Sequence, residues 1–284
     1  MIPGSFEYYR PSQVSEAIKL LTTHGDDARV MAGGHSLIPM MKLRMADIPH
    51  LVDLQDIEAL KGVTKEGNTI RIGAMVTQHE LIVNEELAST APIIRETALQ
   101  IADPQVRYVG TIGGNVANGD PGNDMPGLMQ CLDATFSVEG PNGARDIPAR
   151  EFYEAAYFTA REEDEILTSV TFKVRPGGYA YEKQKRKIGD YATAASAVLI
   201  SKSGATCDAA SIAMTNLSDT PVYSTAASDA LIGSDLGDEA VSAAIDAALS
   251  DIDPVEDNRG PVEFKKHVAG VVLRRAIERA ISRA

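Results

Sequence analysis

The order of helical and extended patterns changes once along this chain, and that change limits the folds it can adopt. Before Pro176-Gly177-Gly178 the two kinds of pattern alternate, whereas beyond it three extended stretches come first and three helical stretches follow. The extended stretches cover residues 179–187, 192–200 and 209–215, and the helical ones residues 222–232, 239–249 and 262–283. Strands followed by helices are typical of a module in which a meander sheet packs on helices. The sequence therefore predicts an α+β protein with a domain boundary at residues 177–178.

The alternating part of the chain predicts short strands and helices. Helices are predicted for residues 11–23, 37–43 and 93–101, and strands for residues 29–31 and 166–174. Hairpin turns are predicted at residues 65–68 and 141–143, and Thr77 with Glu80 forms a capping box that begins a helix. Residues 103–126 are rich in Gly, Pro, Asn and Asp, which predicts a long loop of functional importance.

The composition argues against several classes of protein. With 284 residues, 44% of them hydrophobic, the chain can bury one large core or a few smaller ones. Its net charge of −13 argues against a general nucleic-acid binder, which needs basic surface along the phosphates. No apolar run approaches the roughly 18 residues that span a bilayer, and the first residues lack a secretory signal pattern. We therefore expect a cytoplasmic protein that is not integral to a membrane and does not bind nucleic acid.

A metal site within the chain is not expected. The sequence holds two cysteines, Cys131 and Cys207, whereas an iron–sulfur cluster usually takes four thiolates. The five histidines show no HxxxH or HExxH spacing. Cys131 lies in an apolar helical stretch and Cys207 in a predicted strand, which predicts two buried free thiols.

Two glycine doublets are the candidate binding elements. Ala32, Gly33, Gly34, His35 and Ser36 form the first glycine loop, and Thr111, Ile112, Gly113, Gly114 and Asn115 form the second glycine loop. A glycine-rich turn lets backbone N–H groups approach an anion with no Cβ in the way. A single doublet is more often a plain turn, but two doublets flanked by hydroxyl or amide side chains favour diphosphate binding.

The common nucleotide-binding motifs do not occur in the sequence. Because His35, Ser36 and Leu37 follow Gly34, there is no GxxxxGK[ST] P-loop. The absence of GxGxxG between a strand and a helix argues against a Rossmann site. A bound dinucleotide must therefore lie in a different fold.

Three segments, in this order and spacing, resemble the flavin subunits and domains of the xanthine dehydrogenase family of molybdenum hydroxylases. They are residues 30–37 (VMAGGHSL), 102–115 (ADPQVRYVGTIGGN) and 119–124 (GDPGND). The resemblance extends from the first residues to the last helix. The His35-Ser36 form of the first glycine loop, the segment 119–124 and residues 181–191 (YEKQKRKIGDY) look most like the medium subunits of aerobic carbon monoxide dehydrogenases.

The resemblance implies a particular fold and cofactor site. An FAD-binding domain of the non-Rossmann, PCMH-like type (residues 1–177) would consist of two α+β subdomains, about residues 1–55 and 56–177. A C-terminal flavoprotein domain (residues 178–284) would add a three-stranded antiparallel sheet and a helical bundle. The two glycine loops would wrap the diphosphate and ribityl region of FAD, and Asp124 would lie near the ribose and adenosine. Lys183 and Tyr191 would lie near the isoalloxazine, where a cation stabilises the charge of the reduced flavin.

The resemblance also implies a division of labour between subunits. A large subunit with a molybdenum cofactor would oxidise carbon monoxide to carbon dioxide, and a small subunit with [2Fe–2S] clusters would pass electrons to the FAD of this chain. This chain would deliver them to a quinone or another acceptor. The complex is expected to be a dimer of heterotrimers in the cytoplasm, associated with the inner face of the membrane. No catalytic residue is assigned to this chain itself.

Other functions remain open at this point. A related large subunit could handle an aldehyde or an N-heterocycle instead of carbon monoxide. A stand-alone flavin oxidase is an alternative of another class, although no candidate base lies near the loops. A flavin-free interaction subunit is a third.

Several site residues also have simpler interpretations. Lys183, Lys185 and Lys187 alternate along a predicted strand, which also fits a solvated edge, and either Lys183 or Lys185 can be aligned with the flavin. Asp103, Asp120 and Asp124 are suited to forming turns, and Asp124 also to capping a helix from Met125. His35 is interpreted as shaping its loop through a hydrogen bond.

Overall fold

A computed structural model describes residues 2–284, which begin with a parallel sheet. Its strands are β1 (Glu7–Tyr9), β2 (Ala28–Met31) and β3 (His50–Asp53), with β3 in the centre. Helix α1 (Val14–His24) buries one face, because its apolar residues Ala17, Ile18 and Leu21 share helical spacing. Helix α2 (Leu37–Lys42) follows β2. The first glycine loop thus lies between the carboxyl end of a parallel strand and a short helix.

The second unit is a five-stranded antiparallel sheet with six short helices. The sheet order is β4-β5-β10-β6-β7, formed by β4 (Val63–Glu66), β5 (Thr69–Gly73), β6 (Thr135–Gly140), β7 (Gly143–Pro148) and β10 (Ile166–Lys173). A small hairpin of β8 (Tyr153–Ala155) and β9 (Phe158–Thr159) precedes β10. Between β5 and β6 lie α3 (Gln78–Val83), α4 (Glu85–Thr90), α5 (Pro92–Ala98), α6 (Pro104–Arg107), α7 (Ile112–Ala117) and α8 (Asp124–Cys131). The second glycine loop therefore forms the start of α7.

The C-terminal unit is an antiparallel sheet that is covered on both faces. It contains, in this order, β11 (Gly178–Gln184), β12 (Ala194–Ser203), β13 (Thr206–Thr215) and β14 (Val222–Tyr223). One face packs on helices α9 (Thr225–Leu231), α10 (Asp238–Asp251) and α11 (Val262–Arg283). The other face contributes Tyr181, Ala197 and Ala213 to the core of the second unit. The edge strand β11 is consequently held between α5 and α11.

The longest helix, α11, has 22 residues and buries only one side. Its buried residues include Val272, Leu273 and Ile277, which face the C-terminal sheet. Among residues 2–284, no helix combines the length and the apolar character that crossing a lipid bilayer requires.

Local sequence signals predicted several elements correctly. Both hairpins form, with β4 paired to β5 and β6 paired to β7. The capping box is present: the Glu80 N–H donates to the Thr77 hydroxyl, and the Thr77 N–H donates to the Glu80 carboxylate. Cys131 and Cys207 are both buried free thiols, and burial raises the pKa of Cys131 to about 12.

Several predicted boundaries were wrong. Residues 103–126 are not a continuous loop, because α6, α7 and the start of α8 lie within them; helices of four to six residues are too short to show helical periodicity. Strand β11 ends at Gln184, so Lys185 and Lys187 lie beyond it. The predicted helix 222–232 begins only at Thr225, since residues 222–223 pair with β13 as a short fourth strand. Finally, α8 begins at Asp124 and not at Met125.

Candidate cofactor-binding site

One cavity of about 510 Å³ brings together parts of all three units. Eleven of the thirteen predicted site residues line it: Ala32, Gly33, Gly34, His35, Ser36, Thr111, Gly114, Asn115, Asp124, Lys183 and Tyr191. Ile112 and Gly113, which were predicted to wrap the cofactor, are buried behind the second glycine loop and do not line the cavity. The fold thus converges most of the predicted residues on one site, although they come from distant parts of the sequence.

The first glycine loop presents backbone donors to the cavity. None of the N–H groups of residues 33–36 donates to an acceptor within residues 2–284. Gly34 has a φ of +74°, a left-handed conformation that favours glycine, and its carbonyl accepts from the Ile38 N–H at 2.9 Å. The sequence had suggested that the His35 imidazole shapes the loop through a hydrogen bond. The His35 side chain is instead exposed, and the loop is shaped by this backbone bond. Several free N–H groups in a tight turn form a concave site that suits an anion.

The second glycine loop uses its backbone donors internally. The Ile112 and Gly113 N–H groups donate to the carbonyls of Val76 and Ala74 at 2.9 and 2.8 Å. The Gly114 N–H donates to the Thr111 hydroxyl at 3.0 Å. This loop is therefore a support for the cavity wall, and it contributes side chains and carbonyls more than free N–H groups.

Gly33 and Gly113 are required for packing within the protein. A Cβ on Gly33 would lie 2.4 Å from the carbonyl oxygen of Val109, and one on Gly113 would lie 2.5 Å from the Cβ of Ala74. Contacts within the protein therefore already require glycine at both positions, whether or not a diphosphate binds nearby. Gly33 instead lets the first glycine loop contact the segment that leads into the second.

The charges that line the cavity favour an anionic ligand. The cavity is lined by Arg29, Arg161 and Lys183 and by Asp124 and Asp190, an excess of one cation in a chain whose net charge is −13. Burial lowers the pKa of Arg161; the Glu165 carboxylate opposes this shift, and the Arg29 cation adds to it. Arg29 also pairs with Glu163, at 3.9 Å between Nη2 and Oε1, so the excess of positive charge at the cavity is small. Guanidinium groups nevertheless suit a doubly charged group such as a diphosphate, because they can bind its oxygens in a bidentate way.

Asp124 and Lys183 form a buried ion pair at the other wall. Their Oδ2 and Nζ atoms are 2.8 Å apart, and the side chains are only 6% and 1% exposed. The Tyr181 hydroxyl donates to the second oxygen of Asp124. Asp124 therefore caps no helix with its side chain; it holds Lys183, two residues from Tyr181 on the same face of β11.

Lys183, and not Lys185, lines the cavity. The Lys185 ammonium lies 2.8 Å from the amide oxygen of Gln100, outside the lining. Burial lowers the pKa of Lys185, and the Lys183 cation lowers it further. Neither lysine belongs to a solvated edge, since Lys183 is buried and Lys185 is half-buried.

The remaining predicted residues divide into two carboxylates that accept from backbone N–H groups and one aromatic wall. Asp120 accepts from the Gly122 N–H in a turn, as predicted, whereas Asp103 accepts from the Val106 N–H as the N-cap of α6. Tyr191 packs against Gly122, where an added Cβ would lie 2.8 Å from its ring. Burial raises the pKa of Tyr191 to about 12, with further contributions from Asp120. Tyr191 thus provides a neutral aromatic surface at the cavity.

Six polar residues of the site were missed from the sequence: Arg29, Gln78, Asn118, Asn123, Arg161 and Asp190. Arg29 lies in β2, three residues before the first glycine loop, and Asp190 lies beside Tyr191, so proximity to known motifs was a usable signal for both. Gln78 follows the capping-box residue Thr77, which forms an isolated bridge with Thr111. No local signal marks Gln78 or Arg161, because tertiary contacts alone bring them to the cavity.

The family models cover nearly the whole chain. The FAD-binding domain in molybdopterin dehydrogenase matches residues 4–172, and the C-terminal domain of CO dehydrogenase flavoproteins matches residues 179–280. The chain therefore belongs to the FAD-binding flavoproteins of the molybdopterin dehydrogenases. These proteins are oxidoreductase subunits, and FAD is the cofactor of the family domain.

Within that family, the chain is similar over its full length to carbon monoxide dehydrogenase medium chains. It is 56% identical to the carbon monoxide dehydrogenase medium chain of Afipia carboxidovorans, covering 100% of this chain and 99% of that one. It is 45% identical to the carbon monoxide dehydrogenase medium chain of Hydrogenophaga pseudoflava, with the same coverage. A chain in the crystal structure of the cyanide-inactivated Cu,Mo-CO dehydrogenase superposes with a TM-score of 0.98 at 56% identity, covering 100% of both chains.

Proposed function

We propose that this chain is the FAD-carrying electron-relay subunit of an aerobic carbon monoxide dehydrogenase. It takes electrons from the [2Fe–2S] clusters of a small subunit and passes them to a quinone or another acceptor. A large subunit with a molybdenum cofactor oxidises carbon monoxide to carbon dioxide. The 56% identity over the full length to a carbon monoxide dehydrogenase medium chain is the observation that carries this proposal.

The cavity supports the proposal because its groups suit an extended, doubly charged cofactor. The free N–H groups of residues 33–36 and the cations Arg29 and Arg161 would hold the FAD diphosphate. Bound FAD supplies the ability to exchange electrons singly or in pairs. The protein positions it and limits its contact with water.

The other wall of the cavity would position the flavin ring. Lys183 is fixed by Asp124 and Tyr181, so its ammonium can donate to an acceptor at the isoalloxazine without reorganisation. Tyr191 would cover part of the ring with its aromatic face. Asp124 supports this role by orienting Lys183, in addition to the ribose contact that the family resemblance implies.

We further propose the assembly that the resemblance implies. The chain would join a large and a small subunit in a dimer of heterotrimers, in the cytoplasm and at the inner face of the membrane. Its domains would divide at residues 177–178, between β10 and β11.

Purification of the complex through a tag on this chain tests the function. We expect FAD on acid release, absorbance typical of [2Fe–2S] clusters, molybdenum, and reduction of the flavin by carbon monoxide. If the complex oxidises an aldehyde or N-heterocycle and does not respond to carbon monoxide, the chain is a subunit of a related hydroxylase. FAD on a chain that turns over a substrate without partners would indicate a stand-alone oxidase, and no flavin at all would contradict the FAD site.

A further inference from the structure

Gln78 lines the cavity close to the point where the two glycine loops meet. It is the first residue of α3, and its backbone N–H donates to the Gly110 carbonyl at 2.8 Å. Gly33 of the first loop packs on the same segment, since an added Cβ would lie 2.8 Å from the Gly110 Cα. The backbone of Gln78 is therefore fixed at the point where both loops meet.

The side chain of Gln78 is buried without a hydrogen-bond partner. It is 1% exposed, and neither Nε2 nor Oε1 bonds to another group within residues 2–284. Several buried side chains within residues 2–284 have an unpaired polar atom. Among them, Gln78 is the one that lines the cavity. Burying an amide without partners is costly, so a side chain in this state is typically completed by a ligand.

The chemistry of the amide limits the group that can complete it. A carboxamide has two donor hydrogens and an acceptor oxygen, so full pairing requires a partner that both accepts and donates. Phosphate oxygens at neutral pH only accept, and the free N–H groups of residues 33–36 already offer them donors. A hydroxyl group both accepts and donates, and a polyol chain carries several of them.

We propose that the Gln78 side chain binds the polyol of the cofactor, pairing its amide with a hydroxyl of the FAD ribityl chain. This assignment rests on the proposed FAD site and adds a residue to it. Gln78 would then fix the middle of the cofactor, between the donors of the first glycine loop and the Lys183 wall. The register of the extended cofactor along the cavity would depend on it.

Reconstitution of the deflavo complex with FAD and with its 2′-, 3′- and 4′-deoxyribityl analogues tests the proposal. In the parent protein, one analogue should bind about tenfold more weakly than FAD, as expected for loss of one buried hydrogen bond. Q78A should bind FAD about tenfold more weakly and should no longer distinguish that analogue from FAD. The loss of discrimination is a readout that a purely structural role would leave unchanged.

A second variant guards against loss of folding. In Q78M, an apolar side chain of similar length replaces the unpaired amide, so the deflavo complex should unfold at a temperature no lower than the parent while FAD affinity falls. Q130A is the matched control: Gln130 is also buried and has an unpaired amide oxygen, but it lies outside the cavity lining. Its FAD affinity and analogue preference should match the parent protein.

The outcomes separate this inference from the proposed function. If the parent complex binds no FAD, the proposed function fails. If the parent binds FAD and Q78A keeps both its affinity and its preference among the analogues, the assignment of Gln78 is overturned. Equal weakening of FAD and all three analogues by Q78A would also overturn it, because no hydroxyl would then be coupled to the side chain.

Discussion

The two glycine loops are similar in sequence, but their backbone N–H groups are used differently in the structure. The first leaves the N–H groups of residues 33–36 free toward the cavity, whereas the second binds its N–H groups to Val76, Ala74 and Thr111. A glycine doublet thus indicates a place where the backbone packs closely against another group. Whether that partner is a ligand or the protein itself depends on tertiary contacts.

The supporting role of the second glycine loop continues into α8 and β11. Asn115 accepts from the Met125 N–H through its side chain and from the Asn123 amide through its carbonyl. Asp124, between these two residues, holds Lys183. One wall of the cavity is therefore a connected internal network, and the opposite wall is an open set of donors.

Among the variants that test this difference, Lys183→Met is expected to have the largest effect. Removing the ammonium leaves the Asp124 carboxylate buried without its cation, so the free energy of unfolding should fall by about 3–5 kcal/mol. Denaturant unfolding of the purified protein measures this loss. The double variant Lys183→Met with Asp124→Asn should recover most of it, because no uncompensated charge remains.

Lys185→Met is the matched control for that variant. Its ammonium pairs with a neutral amide, and folding already disfavours its charge, as its lowered pKa shows. The variant should therefore unfold within about 1 kcal/mol of the parent protein. A similar cost at both lysines would remove Lys183 from the supporting network.

Gly113→Ala tests the second glycine loop directly. The new Cβ would lie 2.5 Å from the Ala74 Cβ and 2.6 Å from its carbonyl oxygen, so the α7 start must shift. We expect a loss of about 3 kcal/mol in unfolding free energy, typical of overpacking against rigid backbone. Gly114→Ala, whose nearest atom is the Thr111 hydroxyl at 3.0 Å, is the neighbouring control and should cost much less. Equal stability of the two variants would contradict the supporting role.

Gly34→Ala tests the first glycine loop through binding. At a φ of +74°, alanine costs about 1–2 kcal/mol, and relief of that strain would turn the N–H groups away from the cavity. FAD affinity, measured on the deflavo complex, should therefore fall at least tenfold. Gly62→Ala introduces the same strain at a φ of +82° with open space around the Cβ and outside the cavity, so it should lose stability but keep FAD affinity. Parallel loss of affinity in both variants would show that strain alone weakens binding.

The sequence predicted those features that local chemistry determines. The hairpin turns, the capping box at Thr77 and the span of α11 all depend on neighbouring residues, and all three formed as predicted. Of the thirteen site residues that the family motifs predicted, eleven line one cavity.

Contacts between distant segments could not be read in the same way. The Asp124–Lys183 pair joins residues 59 positions apart, and the bridge between Thr77, next to Gln78, and Thr111 also joins distant segments. The different roles of the two glycine loops have the same origin, since the acceptors Ala74 and Val76 lie far from the second loop in sequence. Neither motif spacing nor composition indicates which backbone N–H group donates to a carbonyl of the protein and which stays free at the cavity.

The smallest expected effect distinguishes the loops by their hydroxyl residues. Thr111 accepts from the Gly114 N–H as the N-cap of α7, whereas Ser36 makes no side-chain cap for α2. Thr111→Ala should therefore lower the unfolding free energy by about 1 kcal/mol, and Thr111→Ser should restore it. Ser36→Ala should leave the stability of the FAD-free protein unchanged, and differential scanning calorimetry can compare the three. If Ser36→Ala costs as much as Thr111→Ala, the first loop is also held internally, and its free N–H groups would no longer be explained by ligand binding.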